Sequence, residues 1–189
     1  MKQLYVGIDL AASPKKYTFL SSITASPLGK SVLNIEFSRL KEDEELIEKT
    51  TSISPRIIVI DAPLSLVNVD EKGFRPLDRC ALRLGARLLP LKTPGMMQLA
   101  MRGTILAKQL AMRGFLVLET HPSSAARILG YRSTVELVKY IAGKELSRGA
   151  ADAVVAGMVG LLFDKGEVVT CEGDPSLVLP LREARIDVS

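Results

Sequence analysis

One histidine, His121, and two cysteines, Cys80 and Cys171, are all that this chain of 189 residues offers in imidazole and thiol. The cysteines stand far apart and fit no zinc or redox spacing. They read as reduced thiols in a cytoplasmic protein, with a bridge between them as the alternative. No apolar run approaches the roughly 18 residues that a membrane-spanning helix needs, so no membrane partner is expected. Met1-Lys2-Gln3 lead straight into strand pattern, and no secretory leader is expected. Neither a G-x-G-x-x-G turn nor a G-x-x-x-x-G-K-[ST] loop occurs, which excludes the usual dinucleotide fingerprint and the P-loop. Side-chain amides are scarce: Asn34, Asn68, Gln3, Gln98 and Gln109. That scarcity is a mark of heat-tolerant proteins. With no repeat, low-complexity tract or dividing linker, residues 1–189 read as a single domain.

What is present suits a globular core. Apolar residues make up 47% and charged residues 24%, the usual balance of a soluble fold. A net charge of +4 and a pI near 9.1 permit a polyanionic partner without requiring one. Leu4–Leu10, Tyr17–Ile23 and Ser31–Ser38 read as three successive strands, the last two divided by Ser26-Pro27-Leu28-Gly29. A polar, acidic helix over Lys41–Thr50 follows. Arg56–Asp61 is a short continuous apolar run between prolines, the pattern of a central strand covered on both faces. Helices are expected over about Pro76–Leu89 and Gly95–Arg113. A fifth strand ends at Glu119. Ser133 to Glu136 have the capping-box pattern and open a helix that Gly143 closes. The last helix covers Gly149–Phe163. Glu167–Cys171 and Leu177–Leu181 offer at most a short further strand. The order implies an α/β domain whose five-stranded mixed sheet joins an antiparallel meander to parallel strands, with helices on both faces.

Four acids occupy unusual places. Asp9 lies near the end of the first strand, Asp61 ends the central strand and Glu119 ends the fifth. Asp152 sits in the first turn of a last helix that is apolar nearly all round. A carboxylate in such a setting is costly unless paired, hydrogen-bonded or bound to a cation. If the three strands are neighbours, their C-terminal ends share one sheet edge, where open α/β sheets place ligands. Carboxylates gathered there suit a hard cation, Mg²⁺ or Mn²⁺, and two such ions can direct a water at a phosphodiester. Each acid also has a structural role open to it. Asp9 and Asp61 can start turns, Glu119 can pair with Arg127, His121 or another local group, and Asp152 can favour a helix N-terminus.

The segments "YVGIDLA", "VIDAPLS", "ETHPSSAARIL" and "RGAADAVVAG" resemble a family of prokaryotic proteins described as predicted nucleases with an RNase H fold. The resemblance runs from about residue 4 to 181. The first-strand and last-helix motifs are also similar to those of RuvC-type Holliday-junction resolvases. There the first-strand aspartate and the acids of the final helix bind metal. The resemblance implies an RNase H-like domain, a metal-dependent nuclease activity, and Asp9 and Asp152 as metal ligands. Asp61 stands where the resolvases usually carry a glutamate, one methylene longer, and is taken as the third ligand. Glu119 and His121 belong to the family's "ETHP" motif and are candidates to orient a water or move its proton. A structural hydrogen bond is the other role open to His121. Two rival functions are a nucleotide-binding protein of the actin and sugar-kinase type, which also opens on "GID", and a non-catalytic module that keeps only the fold.

Arg75, Arg79, Arg83 and Arg87 recur every four residues. On a helix they make one slowly drifting stripe, opposite Leu77, Ala81, Leu84 and Leu88. Arginine forks suit phosphate oxygens, so the stripe is the candidate nucleic-acid surface. An ordinary solvated face, partly neutralised by Asp78 or by the acidic Lys41–Thr50 helix, is the alternative.

Overall fold

A computed structural model describes residues 2–26 and 32–186. Three strands come first: β1 (Gln3–Asp9), β2 (Thr18–Ala25) and β3 (Val32–Leu40). They form the expected antiparallel meander. The turn expected at Ser26-Pro27-Leu28-Gly29 and the strand start expected at Ser31 lie, from Pro27 on, outside the described residues. Helix α1 (Asp43–Ile53) then leads into β4 (Ile57–Asp61), which pairs with β1 in parallel. Helices α2 (Pro76–Arg83) and α3 (Met96–Ala111) precede β5 (Leu116–Glu119), which lies parallel to β4. Helices α4 (Pro122–Ile128), α5 (Thr134–Ala142) and α6 (Arg148–Asp164) follow, and β6 (Val168–Cys171) and β7 (Leu177–Pro180) close the chain.

The sheet has seven strands in the order β3-β2-β1-β4-β5-β7-β6, where five were expected. The tail that read as one short strand forms a hairpin, because all four residues of β7 are buried. β7 continues the parallel run beside β5, and β6 covers it antiparallel from outside.

Alternation along the strands sorts the core into two layers. Tyr5, Ile23, Ile57 and Val59 face α5 and α6, while Val6, Ile8, Leu20, Ile58 and Ile60 face α1 and α3. Helix α6 is buried along almost its whole length. It lies closer to β1 than side chains would allow: a Cβ on Gly7 would stand 2.0 Å from the Ala153 carbonyl oxygen and 2.2 Å from the Gly157 nitrogen. Gly157 and the small Ala153 permit this contact. Ser21 donates to the Ala153 carbonyl at 2.8 Å. At the far end Asp164 accepts from Tyr5 and from Arg56, both at 2.8 Å. The helix is thus fixed against β1 along its length.

Two local expectations need correction, and one helix was not expected. Helix α2 stops at Arg83 rather than Leu89, because Gly85 adopts φ +91° and turns the chain out of the helix. Helix α4, too short to show a periodic pattern, follows β5 directly. Cys80 and Cys171 form a disulfide across 91 residues rather than two reduced thiols. It joins α2 to β6 beside an apolar cluster of Leu77, Ala81, Leu177 and Leu179. The spacing of two distant cysteines carries no pairing information; the hairpin that brings Cys171 to α2 supplies it. Among the described residues, no helix is long and apolar enough to cross a membrane.

Candidate metal centre

Pairing of β1 with β4 sets Asp9 level with Asp61, and pairing of β1 with β2 sets Asp9 level with Phe19. Residues level across a sheet point to the same face. Asp9 follows Tyr5 and Gly7 at intervals of two, so it faces α6, and Asp61 does the same after Ile57 and Val59. Asp152 enters from α6 itself. It is the fifth residue of the helix rather than one of its first turn, so the helix N-terminus is not what places it. One carboxylate oxygen from each of Asp9, Asp61 and Asp152 lies within 4.8 Å of the others.

The three acids differ in their partners. Asp152 is buried, accepts a hydrogen bond from Thr134 Oγ1 at 2.6 Å and lies 3.7 Å from Arg148 Nε. Arg148 is 81% exposed, so most of its field is spent in water. Among the described residues, no donor reaches the carboxylate of Asp9 or of Asp61, and neither caps a turn; the turn after β1 is held instead by Ala11 N–H donating to Thr18 Oγ1. Burial and the nearby charge of Asp152 push the Asp9 pKa up to about 7. Burial, then Asp9, Asp152 and Glu119, hold Asp61 well above the usual carboxylate range. Burial also raises Asp152, against the pull of Thr134 and Arg148. Such a set favours sharing protons or holding a cation. Gly149 leaves the room it needs: a Cβ there would stand 2.5 Å from Phe19 and 2.8 Å from Asp9 Oδ2.

Glu119 does not join them. It is level with Ile60 rather than Asp61, and that shift of one residue turns it to the α1 and α3 face. There Arg75 grips it, with Nη1 donating to Oε2 at 2.9 Å and Nη2 to Oε1 at 2.6 Å, while Leu64 N–H donates to Oε2 at 2.9 Å. Asp78 holds the other side of the guanidinium. Burial raises the pKa of Glu119, with Arg75 pulling against it. Burial alone would lower that of Arg75, but its bonds to Asp78 and Glu119 outweigh this and raise it. Neither Arg127 nor His121 is the partner of Glu119.

This pairing dissolves the arginine stripe. Arg75 is 1% exposed and caps α2 from inside. Arg79 is bound to Asp70 at 2.6 Å. Arg87 lies beyond the helix, where its N–H donates to Ser124. Arg83 ends the helix, and among the described residues its side chain meets no carboxylate.

A cavity of about 200 Å³ opens beside the acids. Asp9, Asp61, Glu119, Thr120 and His121 line one side, and Leu88, Leu89, Leu91, Met96 and Leu99 the other. The histidine's Nδ1 is 2.7 Å from Ser124 Oγ. Burial, then Arg127 and Arg148, bring its pKa down to about 4, so it is neutral at neutral pH. Thr134 and Arg148 were not singled out from sequence as part of the site, and Asp78 was read only as partly neutralising the arginine stripe. Asp78 stands three residues after Arg75, a spacing that does mark a helical pair; nothing local marks Thr134. No protein-family model matches the chain, and no curated protein matches it.

Proposed function

We propose that the chain is a metal-dependent nuclease on an RNase H-like domain, hydrolysing phosphodiester bonds of nucleic acid. One observation carries the reading: Asp9, Asp61 and Asp152 converge within 4.8 Å from two adjacent strands and the helix laid across them. The strand order supports it. A meander, a parallel strand beside the first, and an acid-bearing final helix are what the resemblance to RNase H-fold nucleases implies. The donor set fits Mg²⁺ or Mn²⁺, being all hard carboxylate oxygen with no thiolate or imidazole among the three. Asp9, Asp61 and Asp152 would hold the ion or ions, which supply Lewis acidity and a water ionised near neutral pH.

The chain's own groups divide the remaining work. Asp9 is central, level with Asp61 and facing Asp152. Thr134 fixes the Asp152 carboxylate by one oxygen. Neutral His121, with Nδ1 engaged by Ser124, keeps Nε2 for proton transfer. Glu119, gripped by Arg75, shapes the cavity wall instead of acting as ligand or base. A cytoplasmic setting belongs to this reading as well: disulfides persist inside hyperthermophilic cells, and the scarcity of amides points the same way.

The test sets purified wild type beside Asp9→Asn on DNA, RNA, hybrid and four-way-junction substrates with Mg²⁺ and Mn²⁺. Wild type is expected to cleave at least one of them and Asp9→Asn to fall to background while keeping its fold. Metal at about 100 times its Kd should add about 2.7 kcal/mol to wild-type stability and much less to the variant. Equal activity in both proteins marks a contaminant. Absence of both cleavage and metal-dependent stabilisation overturns the reading.

A further inference from the structure

The row of residues that contains Asp9 and Asp61 continues outward across the sheet. Phe19 lies level with Asp9, and Arg39 lies level with Phe19. Arg39 therefore faces the same side of the sheet as the acids, two strands away, about 10 Å at the usual strand spacing. That span is the axial rise of about three nucleotides in a duplex strand. Lys41 follows at the end of β3. Tyr17 stands between them: its ring centroid is 4.1 Å from the Arg39 guanidinium carbon and 4.8 Å from Lys41 Nζ. All three are exposed, as are Lys15 and Lys16 in the turn that leads to Tyr17.

Among the described residues, none of these four cations meets a carboxylate. The acids nearest in sequence are accounted for elsewhere. Asp43 is bound to Arg102 at 2.6 Å. Glu42, Glu44 and Glu45 belong to α1 or its cap, and α1 packs on the opposite face. Glu36 is level with Ser22, which is level with Val6, so it too belongs to the opposite face. The two cations share one ring, and among the described residues no carboxylate pairs with either. A phosphate bound between the two cations would neutralise both, and the exposed tyrosine offers a base an aromatic surface.

We infer that Lys15, Lys16, Tyr17, Arg39 and Lys41 form the ledge on which a nucleic-acid strand lies as it runs into the Asp9–Asp61–Asp152 centre. The inference rests on the nuclease reading for its direction but not for its binding chemistry. It moves the nucleic-acid surface away from α2, where Arg75 is buried and Arg79 is paired.

Binding of fluorescent single-stranded and duplex DNA and RNA is measured by anisotropy across a salt series, with chelator so that no cleavage occurs. Arg39→Ala/Lys41→Ala should weaken binding and flatten the log–log salt slope by about 1.4 for a single strand or about 1.8 for a duplex. Arg39→Lys/Lys41→Arg should keep the wild-type slope, and Arg83→Ala/Arg87→Ala should leave it unchanged. Thermal melts confirm that each variant is folded. A wild-type slope in the ledge variant, or a loss confined to the α2 variant, overturns the ledge, and cleavage that still depends on Asp9 would leave the nuclease reading standing. Ledge-dependent binding by a protein that cleaves nothing would keep the ledge and remove the nuclease reading. No binding by wild type at low salt overturns the ledge outright.

Discussion

Asp9 shows what the site does to a single residue. In the unfolded chain its carboxyl ionises near pH 3.8; in the folded chain it holds its proton up to about pH 7. Between those values the folded state binds more protons than the unfolded one, so this group's contribution to stability is full in acid and is lost as pH rises from about 4 to 7. His121 acts in the opposite sense. Its pKa falls from 6.5 to about 4 on folding, so its contribution is present above pH 6.5 and is lost as pH falls toward 4. A melting curve of wild type alone mixes these two with the raised Asp61, Asp152 and Glu119. The difference between Asp9→Asn and wild type reports the aspartate together with its coupling to Asp61. In chelator the two proteins should melt together near pH 4, and the variant should become the more stable as pH approaches 8. A gap that stays constant from pH 4 to 8 would show that Asp9 titrates as an ordinary surface acid.

At the scale of elements, the contact of α6 with β1 sets where the acids meet. It depends on two glycines that face each other, Gly7 and Gly157. Substituting Gly7 by alanine would drive a methyl group into backbone, not into a side chain able to rotate away. The helix must then lift, and Asp152 moves with it. Gly7→Ala should cost about 3 kcal/mol or more, at the upper end of overpacking in a filled core, measured by denaturant unfolding. The same variant should lose metal-dependent stabilisation out of proportion to its stability loss. If it folds at full stability, α6 and β1 are held apart more loosely than the geometry states. The Arg75 cluster acts at the same scale: it ties the start of α2 to the end of β5 and so fixes one wall of the cavity.

Across the whole molecule, the Cys80–Cys171 disulfide closes a loop of 91 residues. That loop contains α3, β5 and α4 to α6, most of the layer that carries the site. On chain-entropy grounds a closure of this size adds about 4–5 kcal/mol by restricting the unfolded chain. Cys80→Ala/Cys171→Ala should therefore lower the melting temperature markedly, and a reductant should lower that of wild type while leaving the variant unmoved. Metal-dependent stabilisation should survive in both, because the disulfide lies at β6 and the acids at β1, β4 and α6. Identical melting of wild type with and without reductant would mean that the pair is not bonded in solution.

The meander, the central strand and the last helix were legible because each rests on a local pattern: alternation, a short apolar run between prolines, and an apolar helix rich in small residues. Three of the four acids were legible for the same reason, as charges out of keeping with their runs. The number of strands was not, because Leu177–Pro180 is too short to declare itself and becomes a strand only against β5. The fate of Glu119 was not either. Its place at a strand end resembles that of Asp61, yet pairing one residue out of step turns it to the other face and into the grip of Arg75. The arginine stripe failed for a related reason. Spacing gives a helix face, but Gly85 ends the helix early and buried acids draw Arg75 inward. The sequence by itself determined the meander, the central strand, the last helix and which acids are out of place. Tertiary structure alone decided which of those acids meet, because that depends on strand register and helix contact, and both are made between residues far apart in the chain.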